Sequence, residues 1–291
     1  MDGFINVLKP TGLSSHDVID IVRRIFKQKR VGHAGTLDPA AAGILPIALG
    51  RAARLVEYME GADKSYRAEI AFGYATDTGD VYGDVIESVR HPVLPSVEEL
   101  RSVLACFVGD IEQQPPAYSA IKVGGQRAYD LVRQGAEVEM PMRTVTIHRL
   151  ELVHVDAVHA RILVDVDCAK GTYIRSLCMD IGAAMRLPAT MRFLLRTRVG
   201  GFTLADSCTI EELPEAGEAA LRAPDTALDL PCYELDSSRV KAFYSGLSTS
   251  ERRIELAEGF YRVYAEGGFL GIGRYDAASR EMYPAKAFPP V

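Results

Sequence analysis

The sequence predicts an α+β fold, in which a mixed, largely antiparallel sheet is flanked by helices and followed by a small β-barrel-like module. Segments that alternate like half-buried strands are interleaved with segments of helical period, without the regular βαβ repeat of a parallel sheet. An acidic, proline-bearing run over residues 214–231 marks a boundary. Short apolar segments separated by glycines follow it, a pattern typical of a small β module. We therefore expect two domains, residues 1–230 and residues 231–291.

The first domain begins with a strand and a helix. The predicted strand over residues 4–8 ends at Lys9-Pro10, and apolar residues at helical spacing predict a helix from about Ser15, after a serine cap. A short helix is expected near residues 52–59. Apolar and charged residues alternate over residues 66–72, which predicts a half-buried strand.

Caps, turns and alternation predict the rest of this domain. Ser96, with two glutamates in the next turn, indicates a helix N-terminus, and apolar spacing after the Lys170-Gly171 turn indicates another. The proline-rich stretch over residues 113–118 predicts irregular structure. The predicted elements are a helix at 96–107, a short basic helix towards residue 134, strands at 144–153, 160–168 and 191–197, a helix after residue 171 and a helix from residue 209.

The composition is that of an ordinary globular protein, with 48% hydrophobic and 25% charged residues in 291. No window approaches the ~20 consecutive apolar residues of a membrane span, and no signal-peptide pattern is present. We therefore expect a cytoplasmic protein without a membrane partner. The five cysteines are scattered and include no Cys-x-x-Cys pair, so neither a metal site nor a disulfide framework is expected.

The net charge of -6 hides two basic segments. Residues 9–54 contain eight Lys or Arg against three acids, and residues 170–198 contain six against one. Residues 206–236 instead contain nine acids and one arginine. Phosphate binding needs a local positive field, so the two segments are compatible with a nucleic-acid partner. A solvated helix face would give the same pattern.

The most informative segment runs from Gly32 to Pro46 and contains Asp38. Its glycines permit backbone conformations closed to other residues, and Pro39 disfavours the α conformation at Asp38. Such a segment is typical of a loop held in one shape, where catalytic groups tend to lie. On spacing alone, an ordinary Asp-Pro turn is the more frequent interpretation.

The whole segment resembles the catalytic loop of the TruB family, the bacterial tRNA pseudouridine synthases that act in the T loop. It matches the family pattern Gly-His-x-Gly-x-Leu-Asp-Pro-x-Ala-x-Gly-x-Leu-Pro throughout. The match extends over about residues 3–230. Its other motifs, in family order, are Lys9-Pro10-Thr11-Gly12, Asp63-Lys64-Ser65-Tyr66-Arg67, Thr76-Asp77-Thr78, Gln114-Pro115-Pro116-Ala117-Tyr118-Ser119-Ala120-Ile121-Lys122, Lys170-Gly171-Thr172-Tyr173-Ile174-Arg175 and Leu194-Leu195-Arg196-Thr197.

The resemblance implies an isomerase that flips uridine 55 out of the tRNA T loop and converts it to pseudouridine, without a cofactor. The reaction breaks the bond between ribose C1′ and uracil N1 and joins C1′ to C5. Asp38 is the implied catalytic residue. It could attack C1′ as a nucleophile or remove the C2′ proton as a base, and the sequence does not choose between these roles.

The resemblance also assigns the substrate-binding residues. Tyr66 is expected to stack on the flipped base, Tyr173 to form the pocket wall, and Leu194 to lie against the uracil face. Without the resemblance, strand alternation alone favours a core position for Tyr66, and Tyr173 at the start of its helix could also pack into the core. His33 is expected to contact RNA and to help to open the T loop.

Two residues are expected to support the site. An arginine paired with Asp38 would aim the carboxylate, and the resemblance points to Arg175, although a surface arginine on a helix is the alternative. Lys9 is expected to support the loop or a phosphate. Residues 118–143 mix aromatic and basic side chains and are expected to grip the T stem-loop. The resemblance implies a PUA-type RNA-binding domain over residues 231–291.

We thus expect a monomer that binds the tRNA T stem-loop without an obligate protein partner. Two alternatives stay open. One is a guide-RNA-dependent pseudouridine synthase of the archaeal and eukaryotic kind, which shares the Asp loop. The other is a non-catalytic RNA-binding or RNA-folding protein. Leu195 and Ala53 depart from the family pattern, and we expect them to affect RNA contact rather than chemistry.

Overall fold

The computed structural model describes residues 1–119, 121–136, 138–252 and 254–290. In chain order the strands are β1 Gly3–Lys9, β2 Val31–His33, β3 Ala42–Leu49, β4 Lys64–Phe72, β5 Tyr74–Thr76, β6 Val85–Ser88, β7 Gly109–Gln113, β8 Lys122–Val123, β9 Gln126–Arg127, β10 Arg143–Asp156, β11 Arg161–Cys168, β12 Ala189–Val199, β13 Phe202–Thr203, β14 Cys208–Thr209, β15 Cys232–Glu234, β16 Thr249–Ser250, β17 Gly259–Ala265, β18 Gly268–Asp276 and β19 Glu281–Ala287.

The helices are mostly short. The α-helices are α1 Ser15–Ile25, α2 Val97–Ala105, α3 Ala128–Arg133, α4 Ile174–Ala184, α5 Leu213–Ala216 and α6 Val240–Tyr244, and 3₁₀ turns cover Gly50–Met59, Leu204–Asp206, Gly217–Ala220 and Ser237–Arg239. Within the described residues, no helix combines the length and the apolar character that crossing a membrane requires.

The main sheet has the order β14-β1-β3-β12-β4-β11-β10-β7, with β2 beside β3 and β13 beside β12. Among the strand pairings that the described residues form in this sheet, β1–β14 and β3–β12 are the parallel ones, so the predicted mixed, largely antiparallel sheet is confirmed. In β11, buried and partly exposed residues alternate. Along β4, β10 and β11 one face of the sheet packs on helices, and the other faces solvent and carries ion pairs such as Arg67–Asp165 and Arg149–Asp167. Strands β1 and β3 are buried on both faces.

The predicted helices of the core are confirmed. Helix α4 buries Ile174, Leu177, Cys178 and Ile181, the four residues at helical spacing. Helix α2 begins with a capping box at Ser96, and α1 begins after the Ser14 cap. The basic residues near the end of α1 are exposed, as expected.

The C-terminal residues form a separate curled sheet with the order β15-β17-β18-β19-β16. The predicted small β module is therefore confirmed. It also contributes to the core of the first domain, because Ile272 and Phe288 belong to the same buried cluster as Phe4 and Leu55.

Two local predictions were wrong. The expected loop up to Pro46 ends earlier, because Ala42–Leu49 is a central strand, although Gly43 and Pro46 argue against one. The predicted helix from Thr209 is replaced by β14, which pairs with β1, and by the single turn of α5. In both cases a tertiary contact outweighs the local pattern. The predicted short helix near 52–59 is confirmed as a 3₁₀ helix, which begins earlier, at Gly50.

Residues 118–143 contain a two-stranded ribbon, β8–β9, followed by α3. Ala120 and Glu137 lie outside the described residues, as do the side chains of Lys122, Arg127 and Arg133, on which the predicted basic surface of this segment depends.

Candidate active site

Asp38 lies in the irregular segment between β2 and β3, and neighbouring backbone groups hold this segment in place. The Ser15 hydroxyl accepts a hydrogen bond from the Leu37 amide (2.9 Å) and donates one to the Leu37 carbonyl (3.0 Å). The Gly12 amide donates to the Pro39 carbonyl at 2.8 Å. Leu37 itself is buried in the core. The carboxylate of Asp38 is therefore presented from a fixed backbone, with 38% of its side chain exposed.

Arg175, in the first turn of α4, is paired with this carboxylate. Its Nε lies 2.9 Å from Asp38 Oδ2. The two other guanidinium nitrogens donate to the carbonyls of Thr78 (3.0 Å) and Tyr118 (2.9 Å). Only 5% of the Arg175 side chain is exposed. Three partners in three directions fix the guanidinium plane, and the carboxylate oxygen that it contacts is fixed with it.

A pocket of about 300 Å³ opens beside this ion pair. Its lining includes Asp38, Arg175, Tyr66, Tyr173 and Leu194, the residues that the sequence assigns to one site. Tyr66 and Leu194 are 8% and 5% exposed and form an apolar wall. Burial raises the pKa of Tyr66 to about 12, so this phenol is neutral at physiological pH. Burial also raises the pKa of Tyr173.

Tyr173 precedes the first turn of α4, and one glutamine clamps its backbone. The Gln113 side-chain amide donates to the Tyr173 carbonyl (3.1 Å) and accepts from the Tyr173 amide (2.8 Å). Gln113 is buried at the end of β7. The clamp fixes the point where the irregular 113–118 stretch meets α4.

Lys9 and His33 lie outside the pocket lining. Lys9 is fully buried, and its Nζ donates to the carbonyls of Pro10 (2.8 Å) and Leu13 (2.7 Å). Burial lowers the pKa of Lys9 to about 8, against the opposing effect of Asp38. Lys9 thus braces the turn whose Gly12 contacts the Asp38 segment.

His33 ends β2, with its ring 5.9 Å from that of His16 in an edge-to-face arrangement. Its Nδ1 is buried without a hydrogen-bond partner among the described residues. Burial lowers the pKa of His33 to about 4, assisted by the positive field of His16 and Arg196. The imidazole is therefore neutral at pH 7 and offers a flat, uncharged face beside the loop.

Two residues that the sequence did not single out complete the site. Arg196 lines the pocket, is 0% exposed and donates to the carbonyls of Gly35 (3.1 Å), Thr36 (3.1 Å) and Ile44 (2.7 Å). Asp80 Oδ2 lies 3.8 Å from Arg175 Nη1. The burial of Arg196 in the pocket wall could have been predicted, since it lies two residues after Leu194 and so on the same, buried face of its strand.

Family comparisons agree with this geometry. The model of the TruB family pseudouridylate synthase N-terminal domain matches residues 23–174, and that of the tRNA pseudouridylate synthase B C-terminal domain matches residues 175–230. A tRNA pseudouridine synthase B of Caldanaerobacter subterraneus subsp. tengcongensis is 44% identical over 289 residues, 99% of each chain. One of Moorella thermoacetica is 49% identical over 231 residues, which cover 77% of this chain and 75% of the relative.

Solved structures share the fold. A Cbf5-Nop10-Gar1 complex matches with a TM-score of 0.74 and 25% identity, over 96% of this chain and 79% of the matched one. An H/ACA RNP bound to a substrate RNA containing 2′-deoxyuridine matches with a TM-score of 0.72 and 23% identity, over 99% and 85%. With the family models and the near full-length relatives, these matches show that the chain belongs to the TruB family of pseudouridylate synthases.

Proposed function

We propose that this protein isomerises uridine 55 in the T loop of tRNA to pseudouridine, with Asp38 as the catalytic residue. The curated relatives are named for synthesis of pseudouridine in tRNA, and they match the chain from end to end. One observation of the site carries the proposal. A carboxylate on a fixed loop is aimed by a buried guanidinium into a pocket with aromatic and aliphatic walls.

The chemistry follows from this arrangement. Arg175 contacts Oδ2 of Asp38, which leaves Oδ1 for the ribose. As a nucleophile, Oδ1 attacks C1′ while the bond to uracil N1 breaks, and C5 of the turned base later displaces it. As a base, Oδ1 removes the C2′ proton as the same bond breaks, and returns the proton once C1′ has joined C5. In both routes the C5 proton of uracil is finally released and N1, freed by the bond cleavage, takes up a proton, so the overall change is an isomerisation.

The walls of the pocket suit a flipped uracil. Tyr66 stacks on the base, Leu194 lies against the uracil face and Tyr173 closes the pocket wall. Stacking on an aromatic side chain is worth ~1–3 kcal/mol, which is comparable to the cost of taking a base out of its stack.

Binding of the rest of the RNA is assigned to surfaces outside the pocket. The basic segments over residues 9–54 and 170–198 supply phosphate contacts. His33 supports T-loop opening with its neutral ring. Residues 118–143 grip the stem, and the C-terminal sheet acts as a PUA-type RNA-binding domain over residues 231–291. We propose that the protein works in the cytoplasm as a monomer without an obligate protein partner.

The proposal is tested with an unmodified tRNA transcript that carries tritium at uracil C5. Pseudouridine formation releases this tritium, so the assay reads the reaction itself. We expect release by the wild type, none by Asp38→Asn and normal release by Asp20→Asn, a matched change at an exposed aspartate. Release by Asp38→Asn at the wild-type rate would overturn the role of Asp38.

The solved-structure matches favour one second candidate, a guide-RNA-dependent synthase, because the matched chains come from Cbf5 and H/ACA complexes. The same assay separates the two candidates, since the transcript is offered without guide RNA. Release from the transcript alone supports the stand-alone enzyme. Binding of the transcript without release supports the guide-dependent candidate or a non-catalytic RNA-binding protein.

A further inference from the structure

Arg196 is a buried cation that forms no ion pair among the described residues. It is 0% exposed, and no Asp or Glu in the described part of the chain lies within ion-pair distance of it. Burial of a charge without an ion-pair partner is costly, and it lowers the pKa of this guanidinium although the fields of Tyr66 and Asp38 oppose the shift. A hydrophobic side chain of similar size would fill the same space at a lower cost. Packing therefore does not account for an arginine at this position.

The side-chain hydrogen bonds of Arg196 lead to the segment around Asp38. Nη2 and Nη1 donate to the carbonyls of Gly35 and Thr36, which precede Asp38, and Nε donates to the carbonyl of Ile44, which follows it. On the other side of β12, Arg196 lies opposite Tyr66 in the antiparallel pairing with β4, and both residues line the pocket. One residue thus connects both limbs of the carboxylate loop to the aromatic on β4.

The backbone of Arg196 contacts the same loop. Arg196 pairs with Gly43 where β12 meets β3 in parallel. A Cβ atom at Gly43 would lie 2.2 Å from the Arg196 carbonyl oxygen and 2.5 Å from its nitrogen, so only glycine permits this approach. Because the backbone of Arg196 is fixed against the loop, its side chain has a defined origin and reaches the three carbonyl acceptors from one place.

We propose that Arg196 is a positioning residue, which holds the Asp38 segment and Tyr66 in one fixed relation so that the carboxylate and the stacking ring act on the same flipped nucleoside. This inference rests on the proposed role of Asp38. Lysine cannot replace the arginine, because a single ammonium group cannot span acceptors that lie in several directions. Small displacements of a reacting group, on the order of 1 Å, can cost about 100-fold in rate.

The test compares Arg196→Lys with Arg149→Lys, a matched change on β10 of the same sheet, outside the segments assigned to RNA binding, at a site that is 46% exposed. Tritium release is measured with enzyme in excess over the transcript, so that the rate reports the reaction on bound RNA. Affinity for the transcript and the melting curve are measured on the same samples, and the rates are taken below the melting range of each variant. We expect Arg196→Lys to be about 100-fold slower, with transcript affinity and folded fraction unchanged, and Arg149→Lys to match the wild type.

A near-normal rate for Arg196→Lys would overturn the inference, since charge alone would then suffice. A rate loss no larger than the loss of folded protein would overturn it too, because Arg196 would then act only in stability. If Arg196→Lys does not fold, Arg196→Gln, which keeps an N–H donor without the guanidinium fork, carries the same prediction. If the wild type releases no tritium, both the proposed function and this inference are contradicted. If the wild type and Arg196→Lys release tritium at the same rate, only this inference is contradicted.

Discussion

At the scale of single residues, the site depends on how a half-exposed carboxylate is held by buried groups. Asp38 keeps 38% of its side chain exposed, while the guanidinium that contacts it is 5% exposed. Arg175 contacts three separate irregular segments of the chain, since its partners are Asp38, Thr78 and Tyr118. The orientation of the carboxylate is thus set by the surrounding fold rather than by the Asp38 loop alone.

Replacement of Arg175 by lysine tests this arrangement. Lysine keeps the charge but cannot contact Asp38 and both carbonyls together, so the carboxylate loses its fixed orientation. We expect the single-turnover rate to fall by about 100-fold or more, with transcript affinity preserved. The measurement is tritium release with excess enzyme, and the exposed Arg149→Lys again serves as the control. An unchanged rate would show that the charge, and not the geometry, is what Asp38 requires.

The buried imidazole of His33 predicts a pH effect on stability. Its pKa in the folded protein is about 4, below its ordinary value near 6.5, so the unfolded chain binds an extra proton between these pH values. The stability that neutral His33 contributes is present above pH 6.5 and is lost as the pH falls towards 4.

Urea unfolding at pH 7 and at pH 4.5 measures this contribution. Between the two values, we expect the unfolding midpoint to decrease less in His33→Gln than in the wild type. Equal decreases in both proteins would contradict a burial-depressed pKa for His33.

Sequence reasoning brought together Asp38, Tyr66, Tyr173, Arg175 and Leu194, and all five line one pocket in the structure. Their roles stay predictions. It did not single out Arg196, whose partners at Gly35 and Thr36 lie about 160 residues away along the chain. Its position two residues after Leu194 indicated the buried face of the strand, but only the long-range contacts show which backbone groups the buried guanidinium binds.

At the scale of elements, the junction of β3 and β12 positions the site. The two strands are parallel neighbours, with Leu195 beside Ala42 and Arg196 beside Gly43. Strands β4, β10 and β11 were predictable because each has one buried and one solvated face, which gives alternation. Strand β3 is buried almost throughout and contains a proline, so it has no alternation to detect. The position of β3 in the sheet is set by its pairing with β1 on one side and β12 on the other.

Replacement of Gly43 by alanine should break this junction. The backbone φ is +123°, and the new Cβ would overlap the backbone of Arg196. We expect a loss of about 3 kcal/mol or more in the free energy of unfolding. Gly201→Ala is the control, because a Cβ there meets nothing within 4 Å. Equal urea midpoints for the two variants would contradict the close approach of β3 and β12.

At the scale of the whole molecule, the C-terminal sheet and the first domain share a core. Ile272 and Phe288 pack with Phe4 and Leu55, and Lys286 pairs with Glu57 at 2.9 Å. The boundary near residue 231 was visible in the composition, but this shared core was not, because apolar residues in a short glycine-rich unit do not reveal which partner they face. The two units therefore pack against each other through one buried cluster.

The central claim is that uridine 55 of the tRNA T loop is the uridine that enters the pocket and reacts with Asp38. The most direct measurement is the amount of tritium released at completion from two transcripts, one with uridine 55 and one with cytidine at that position. We expect one equivalent from the first transcript, none from the second, and none from either with Asp38→Asn. Equal release from both transcripts by the wild type would contradict the assignment of uridine 55. Release by Asp38→Asn would contradict the assignment of the catalytic carboxylate.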